Sequence, residues 1–189
     1  MSLNTILSEK KDEILALWFD RIIETYPSDT SKFLKSQKDR FANPVGQTIY
    51  EGINGILTEL AGGGGIEKIS GFLDAIIRVR AVQEFTASQA VGFIFFLKGV
   101  VRDCLKDIPV SGTIAEELAE LEAQIDSLVL LSFDIFMQCR EKLYDIKANE
   151  IRNMTYRLLQ QANLIVDSGE QQTEDKNKFI TIHKKEVNT

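Results

Sequence analysis

Apolar residues recur at three- and four-residue intervals through most of the chain, a spacing that predicts one helix after another. Ile6, Ile14, Leu17, Trp18, Phe19, Ile22 and Ile23 stripe a first helix over residues 5–26, which Pro27 stops. A shorter helix is expected over 30–41. Asn43-Pro44 then reads as an N-cap followed by proline at the first helical position, and Ile49, Ile53, Ile56, Leu57 and Leu60 continue a third helix. Four glycines at 62–65 end it. They have no strand before them and no Gly-Lys-Ser/Thr after them, so they read as a connector rather than a phosphate cradle.

A fourth helix is expected over 66–82, with Ile69, Phe72, Leu73, Ile76, Ile77 and Val79 as its apolar set. Thr86-Ala87-Ser88-Gln89 fits a capping box and opens a helix to about residue 105. That helix is apolar nearly all round and is therefore expected to be central and buried. Thr113-Ile114-Ala115-Glu116 fits a second box, and the helical pattern then runs without proline or glycine to about residue 165. At 1.5 Å per residue such a helix reaches roughly 75–80 Å. A domain of some 145 residues is only about 35–40 Å across, so the helix is expected to bend or to leave the domain. Its first half, through Leu128, Val129, Leu130, Leu131, Phe133, Ile135 and Phe136, is rich enough for core. Its second half thins to Ile151, Met154, Leu158, Ala162 and Ile165, at spacings of 3, 4, 4 and 3. A polar helix with one apolar seam is marginal alone in water and is expected to pair, most simply with its own copy. The fold expected is an all-α bundle of about six to seven helices over 1–145. A helical extension to about 167 and a polar tail, with Phe179-Ile180-Thr181-Ile182-His183 as a small β-prone island, complete the chain.

Composition narrows the function. The 189 residues carry 22 Lys/Arg and 28 Asp/Glu, a net charge of −6, which disfavours nucleic acid as a partner. The longest apolar stretch falls well short of the ~20 residues that span a bilayer, and Met1-Ser2-Leu3-Asn4-Thr5 does not open like a secretion signal; a cytoplasmic protein is expected. Cys104 and Cys139 sit in apolar helical sequence as reduced thiols, without metal-site spacing. The only histidine is His183, in the tail. A Ser/His/Asp arrangement or globin-type haem ligation would have to recruit it, and no Glu-x-x-His pair suggests a di-metal bundle. The expectation is a non-enzymatic protein with no cofactor and no metal. Arg78 and Arg80, flanking Val79, form a candidate anion site for a ligand or a protein partner; ion pairs to Asp74 or Glu84 are the plainer reading. Phe72, Phe93, Phe95 and Phe96 are candidate walls for a small apolar ligand, core packing being the plainer reading there.

The stretch from Ile77-Arg78-Val79-Arg80-Ala81-Val82-Gln83-Glu84-Phe85 through Thr86-Ala87-Ser88-Gln89-Ala90-Val91-Gly92-Phe93 resembles the RsbRD-type N-terminal domain of RsbT co-antagonist proteins of the bacterial stressosome. Trp18-Phe19-Asp20-Arg21-Ile22 with Tyr26-Pro27, and Arg40-Phe41-Ala42-Asn43-Pro44-Val45-Gly46, agree with it. The resemblance implies a haem-free, globin-like helical fold, dimerisation, and a coiled-coil-like exit helix toward an output domain. Fuller members carry a C-terminal STAS domain. Only some 40 residues follow the bundle here and they show no alternation of strands and helices, so a stand-alone signalling or adaptor module is expected.

Overall fold

Helical spacing in the sequence becomes helix in the computed structural model, which describes residues 2–36, 41–110, 112–162 and 164. The elements are α1 (Leu3–Glu9), α2 (Lys11–Ile23), α3 (Ser28–Ser36), α4 (Pro44–Ala61), α5 (Ile66–Ala81), α6 (Ala87–Val91), a 3₁₀ turn (Gly92–Ile94), α7 (Phe95–Cys104) and α8 (Thr113–Gln161). Every regular element among the described residues is helical. The chain forms two compact units, Met1–Glu141 and Lys142–Thr189, with the division inside α8.

Local chemistry sets the helix ends. The Asn43 side chain accepts from the Gly46 amide at 2.9 Å and donates to the Leu34 carbonyl at 2.9 Å, so one buried amide caps α4 and ties down the end of α3. Thr86 and Gln89 form the capping box of α6. The tetraglycine run connects α4 to α5, with Gly63 at φ 70°, a conformation that suits glycine. At α8 the Thr113 box does not form as read. Gly112, at φ 57°, supplies the carbonyl that takes the Ala115 and Glu116 amides, so Thr113 is already inside the helix.

Two expected helices are broken, each for a visible reason. The first bends at Lys10 (φ −97°, ψ 15°). Residues 8–12 are polar and anchor nothing in the core, and the bend lets Leu3, Ile6 and Leu7 bury alongside Ile14, Leu15 and Trp18. The helix opened by Thr86 passes through the 3₁₀ turn because the indole N–H of Trp18 donates to the Phe93 carbonyl at 2.8 Å, a carbonyl that a regular helix would use internally. That helix is also not buried all round: Phe95 is about half exposed.

In the first unit, Trp18 stacks on Phe93 (centroids 6.4 Å, 25°) at the centre of the core. α4 and α5 close on each other at Gly52 and Gly55, where an added Cβ would fall within 2.6 Å of Ile76 and Phe72 side-chain atoms. Leu121, Ile125, Leu128, Val129, Ser132, Ile135 and Phe136 form the buried face of α8. Leu130, at 69% exposure, and Phe133 lie outside it, contrary to the expectation that this apolar half is all core. Lys98–Asp126 (2.6 Å) and the two-pronged Arg102–Glu122 pair (2.6 and 2.9 Å) join α7 to α8, while Arg21–Asp103 joins α2 to α7. Exposed pairs contribute only about 0–1 kcal/mol each, so they set register more than stability.

Candidate functional site

Arg80 stands in the last turn of α5 and is 0% exposed. Its Nη2 donates to Thr25 Oγ1 and to the Gln89 carbonyl, both at 3.1 Å, joining the C-terminus of α2 to α6. The guanidinium lies 4.2 Å from the Phe85 ring centre, 5.3 Å from Tyr26 and 5.5 Å from Phe93. Tyr26 meets Phe85 edge-on at 5.2 Å, and its hydroxyl donates to Gln83 Oε1 at 3.2 Å. Among the described residues Arg80 has no carboxylate partner, and its Nε and Nη1 are buried without an acceptor. Burial pulls the guanidinium below its ordinary pKa, opposed by the Tyr26 phenol; burial raises the phenol in turn, opposed by Arg80. Arginine stays charged regardless. Three aromatic contacts at about 0.5–2 kcal/mol each offset part of the several kcal/mol that burying an ion costs. They do not neutralise it.

Arg78 lies on the other side of α5, since two residues turn a helix by roughly 200°. Its side chain is exposed and pairs with Asp74 at 2.5 Å, one turn back. The two arginines that sequence places side by side therefore do not share a site. Arg140, which the sequence did not single out, donates from Nη1 to the Ala81 carbonyl at 3.3 Å, so α8 caps the end of the helix that carries Arg80. Nothing in local spacing pairs residue 140 with residue 81.

The four phenylalanines considered as ligand walls do not surround one chamber. Phe93 is core, Phe96 is partly buried, and Phe72 and Phe95 reach solvent. A groove of about 520 Å³ opens elsewhere, between α2, α3 and α4, lined by Phe19, Leu34, Lys35, Asn43 and Tyr50 among others. Cys104 is buried, which pushes its thiol pKa up, and Cys139 is half-buried. Among the described residues no three or more of His, Cys, Asp and Glu come together as a metal-binding group, and no helix is long and apolar enough to cross a membrane. His183 and the tail lie outside the described residues.

In the second unit the helix is exposed at nearly every position. Ile151, Met154 and Leu158 are 66%, 65% and 59% exposed, and Ala162 is exposed too; Ile165 lies outside the described residues. Tyr144 and Ile146 add further exposed apolar surface ahead of them.

No curated protein and no solved structure matches the chain. The family model described as the RsbT co-antagonist protein rsbRD N-terminal domain matches residues 12–151. The match takes in the Trp18 and Asn43 segments, the whole Arg80 corner, and α8 as far as Ile151. The chain belongs to the RsbT co-antagonist protein rsbRD N-terminal domain family.

Proposed function

We propose that the protein is a non-enzymatic signalling or adaptor module of the stressosome type, a haem-free globin-like domain that acts as a homodimer through α8 and hands its state to a protein partner. The carrying observation is the row Ile151, Met154 and Leu158, apolar and more than half exposed on an otherwise polar helix. Burying each such side chain is worth roughly 1.5–3 kcal/mol. A second copy offers the same row in return, and twofold dimers are the commonest oligomers. The family description, a co-antagonist of RsbT, supports a regulatory role. A cytoplasmic setting is part of the proposal.

Light scattering on the full chain, on an Ile151→Lys/Leu158→Lys variant and on a truncation after Lys147 tests the dimer. A dimer that both changes convert to monomer is expected. A wild-type monomer at micromolar concentration would refute the reading. A truncation that stays dimeric would move the contact onto the first unit. There Leu121, Ile125 and Leu128 are buried, so the exposed Leu130, Phe133 and Met137 would have to carry it. The alternative, a sensor of a small ligand, is favoured by one observation: the unneutralised guanidinium of Arg80, not Arg78 with its Asp74 partner.

A further inference from the structure

We infer that Arg80 holds a small inorganic monoanion, of halide or nitrate size, at the corner where α2, α5 and α6 meet. The inference rests on the ligand-sensing alternative above and is independent of whether the chain dimerises.

Arg80 is the only charged side chain among the described residues that is fully buried. Arg21, Lys35, Arg78, Lys98 and Arg102 are all partly exposed, and each has a carboxylate within ion-pair distance. Arg80 has two neutral acceptors on Nη2 and the neutral Tyr26 phenol beside it but, among the described residues, no carboxylate. Buried polar groups without a partner are uncommon in folded proteins and call for a physical explanation. A water could satisfy an N–H but would leave the positive charge uncompensated in a medium of low dielectric, which is the larger penalty.

The surroundings define the class of ion. Phe85 covers a face of the guanidinium at 4.2 Å, so an occupant approaches in the plane, at the edges bearing Nε and Nη1. The Thr25 hydroxyl donates to the Ile22 carbonyl and the Tyr26 hydroxyl to Gln83, so neither proton is turned toward an anion and the guanidinium is its principal donor. One buried positive charge matches one negative charge; a dianion would leave an excess. The 520 Å³ groove between α2, α3 and α4 is not lined by Arg80, and three rings crowd the guanidinium, so any occupant has to be small. Val82 in the α5–α6 loop is exposed and Gln83 and Phe85 are partly so, which puts solvent next to the segment that carries the Phe85 ring.

The test is thermal unfolding of the full chain in which gluconate is exchanged for chloride at constant ionic strength. The melting temperature should rise by roughly 3–6 °C at about ten times the dissociation constant and then climb with the logarithm of chloride concentration. Bromide and nitrate should act alike, and Arg80→Met, which keeps length and apolar bulk, should not respond. A flat wild-type titration refutes the inference. So does an Arg80→Met titration that overlays the wild type, because the effect is then one of bulk salt. If Arg80→Met does not fold, bromide-soaked crystals of the wild type decide: an anomalous peak in contact with the Arg80 guanidinium supports the site, and its absence overturns it.

Discussion

Gly52→Ala probes the close approach of α4 to α5. The new Cβ would lie 2.6 Å from Cγ1 and Cδ1 of Ile76 and 3.3 Å from the Phe72 carbonyl oxygen. Ile76 is fully buried and cannot swing out, and a backbone oxygen cannot move alone. Alanine gains about 1 kcal/mol over glycine inside a helix, whereas forcing a methyl into a packed contact costs about 1–3 kcal/mol. With two rigid neighbours the upper part of that range applies, and a net loss of about 1–2 kcal/mol is expected. Gly55→Ala is the control. The three atoms nearest its Cβ, at 2.5–2.6 Å, all belong to the Phe72 ring, and Phe72 is 37% exposed, so the side chain has a solvent side to yield toward. Its effect should lie near zero. Urea unfolding followed by the emission of the single tryptophan reads both, since Trp18 is core. At a slope of about 2–3 kcal/mol/M, Gly52→Ala should lower the midpoint by about 0.5 M with the slope unchanged. Ile76→Val, which deletes Cδ1, should recover part of that loss when combined with Gly52→Ala. A midpoint raised by Gly52→Ala, or a larger loss from Gly55→Ala, would show that α4 and α5 do not meet as described.

α2 is tied to α7 through Asp103 and to the 3₁₀ turn through Phe93. Hydrogen bonds from Lys106 and Arg21 hold the Asp103 carboxyl below its ordinary pKa. A carboxyl depressed in the folded state stabilises above its unfolded pKa, about 3.9, and that stability is lost as pH falls through the folded value. The stability difference between wild type and Asp103→Asn should therefore shrink from pH 5 toward pH 2, and a constant difference across that range would remove the assignment. Trp18→Phe deletes the buried indole bond to the Phe93 carbonyl and should destabilise by about 1–3 kcal/mol in a denaturant titration followed by circular dichroism; an unchanged midpoint would mean the carbonyl finds another donor.

The helices were legible because their apolar spacing is local, and the caps at Asn43 and Thr86 because a cap needs only three or four residues of context. The bends at Lys10 and Gly92–Ile94 were not legible. The first depends on burying Leu3, Ile6 and Leu7 on a core assembled from distant segments, and the second on an indole donor 75 residues away in sequence. Composition could mark Leu130 and Phe133 as apolar but could not say which side of α8 the bundle would occupy. Arg78 and Arg80 looked equivalent as residue types. What separates them is a turn of helix, which gives one an acid at position i−4 and sends the other among the rings of Tyr26, Phe85 and Phe93.

The backbone amide of Leu3 donates to the Glu117 carboxylate, 114 residues further along the chain. The acid that holds α1 at its start is therefore made long after α1 itself. At synthesis rates of about 5–20 residues per second, α1 waits on the order of 6–20 s for that residue to be added. α1 packs on α4 and α2, which are made earlier, so its apolar face can be covered while the tie at Leu3 still waits for α8. A nascent chain arrested before Glu117 should thus keep α1 packed on α4 but leave its first turn looser to proteases than in the finished protein, and release past that point should tighten it.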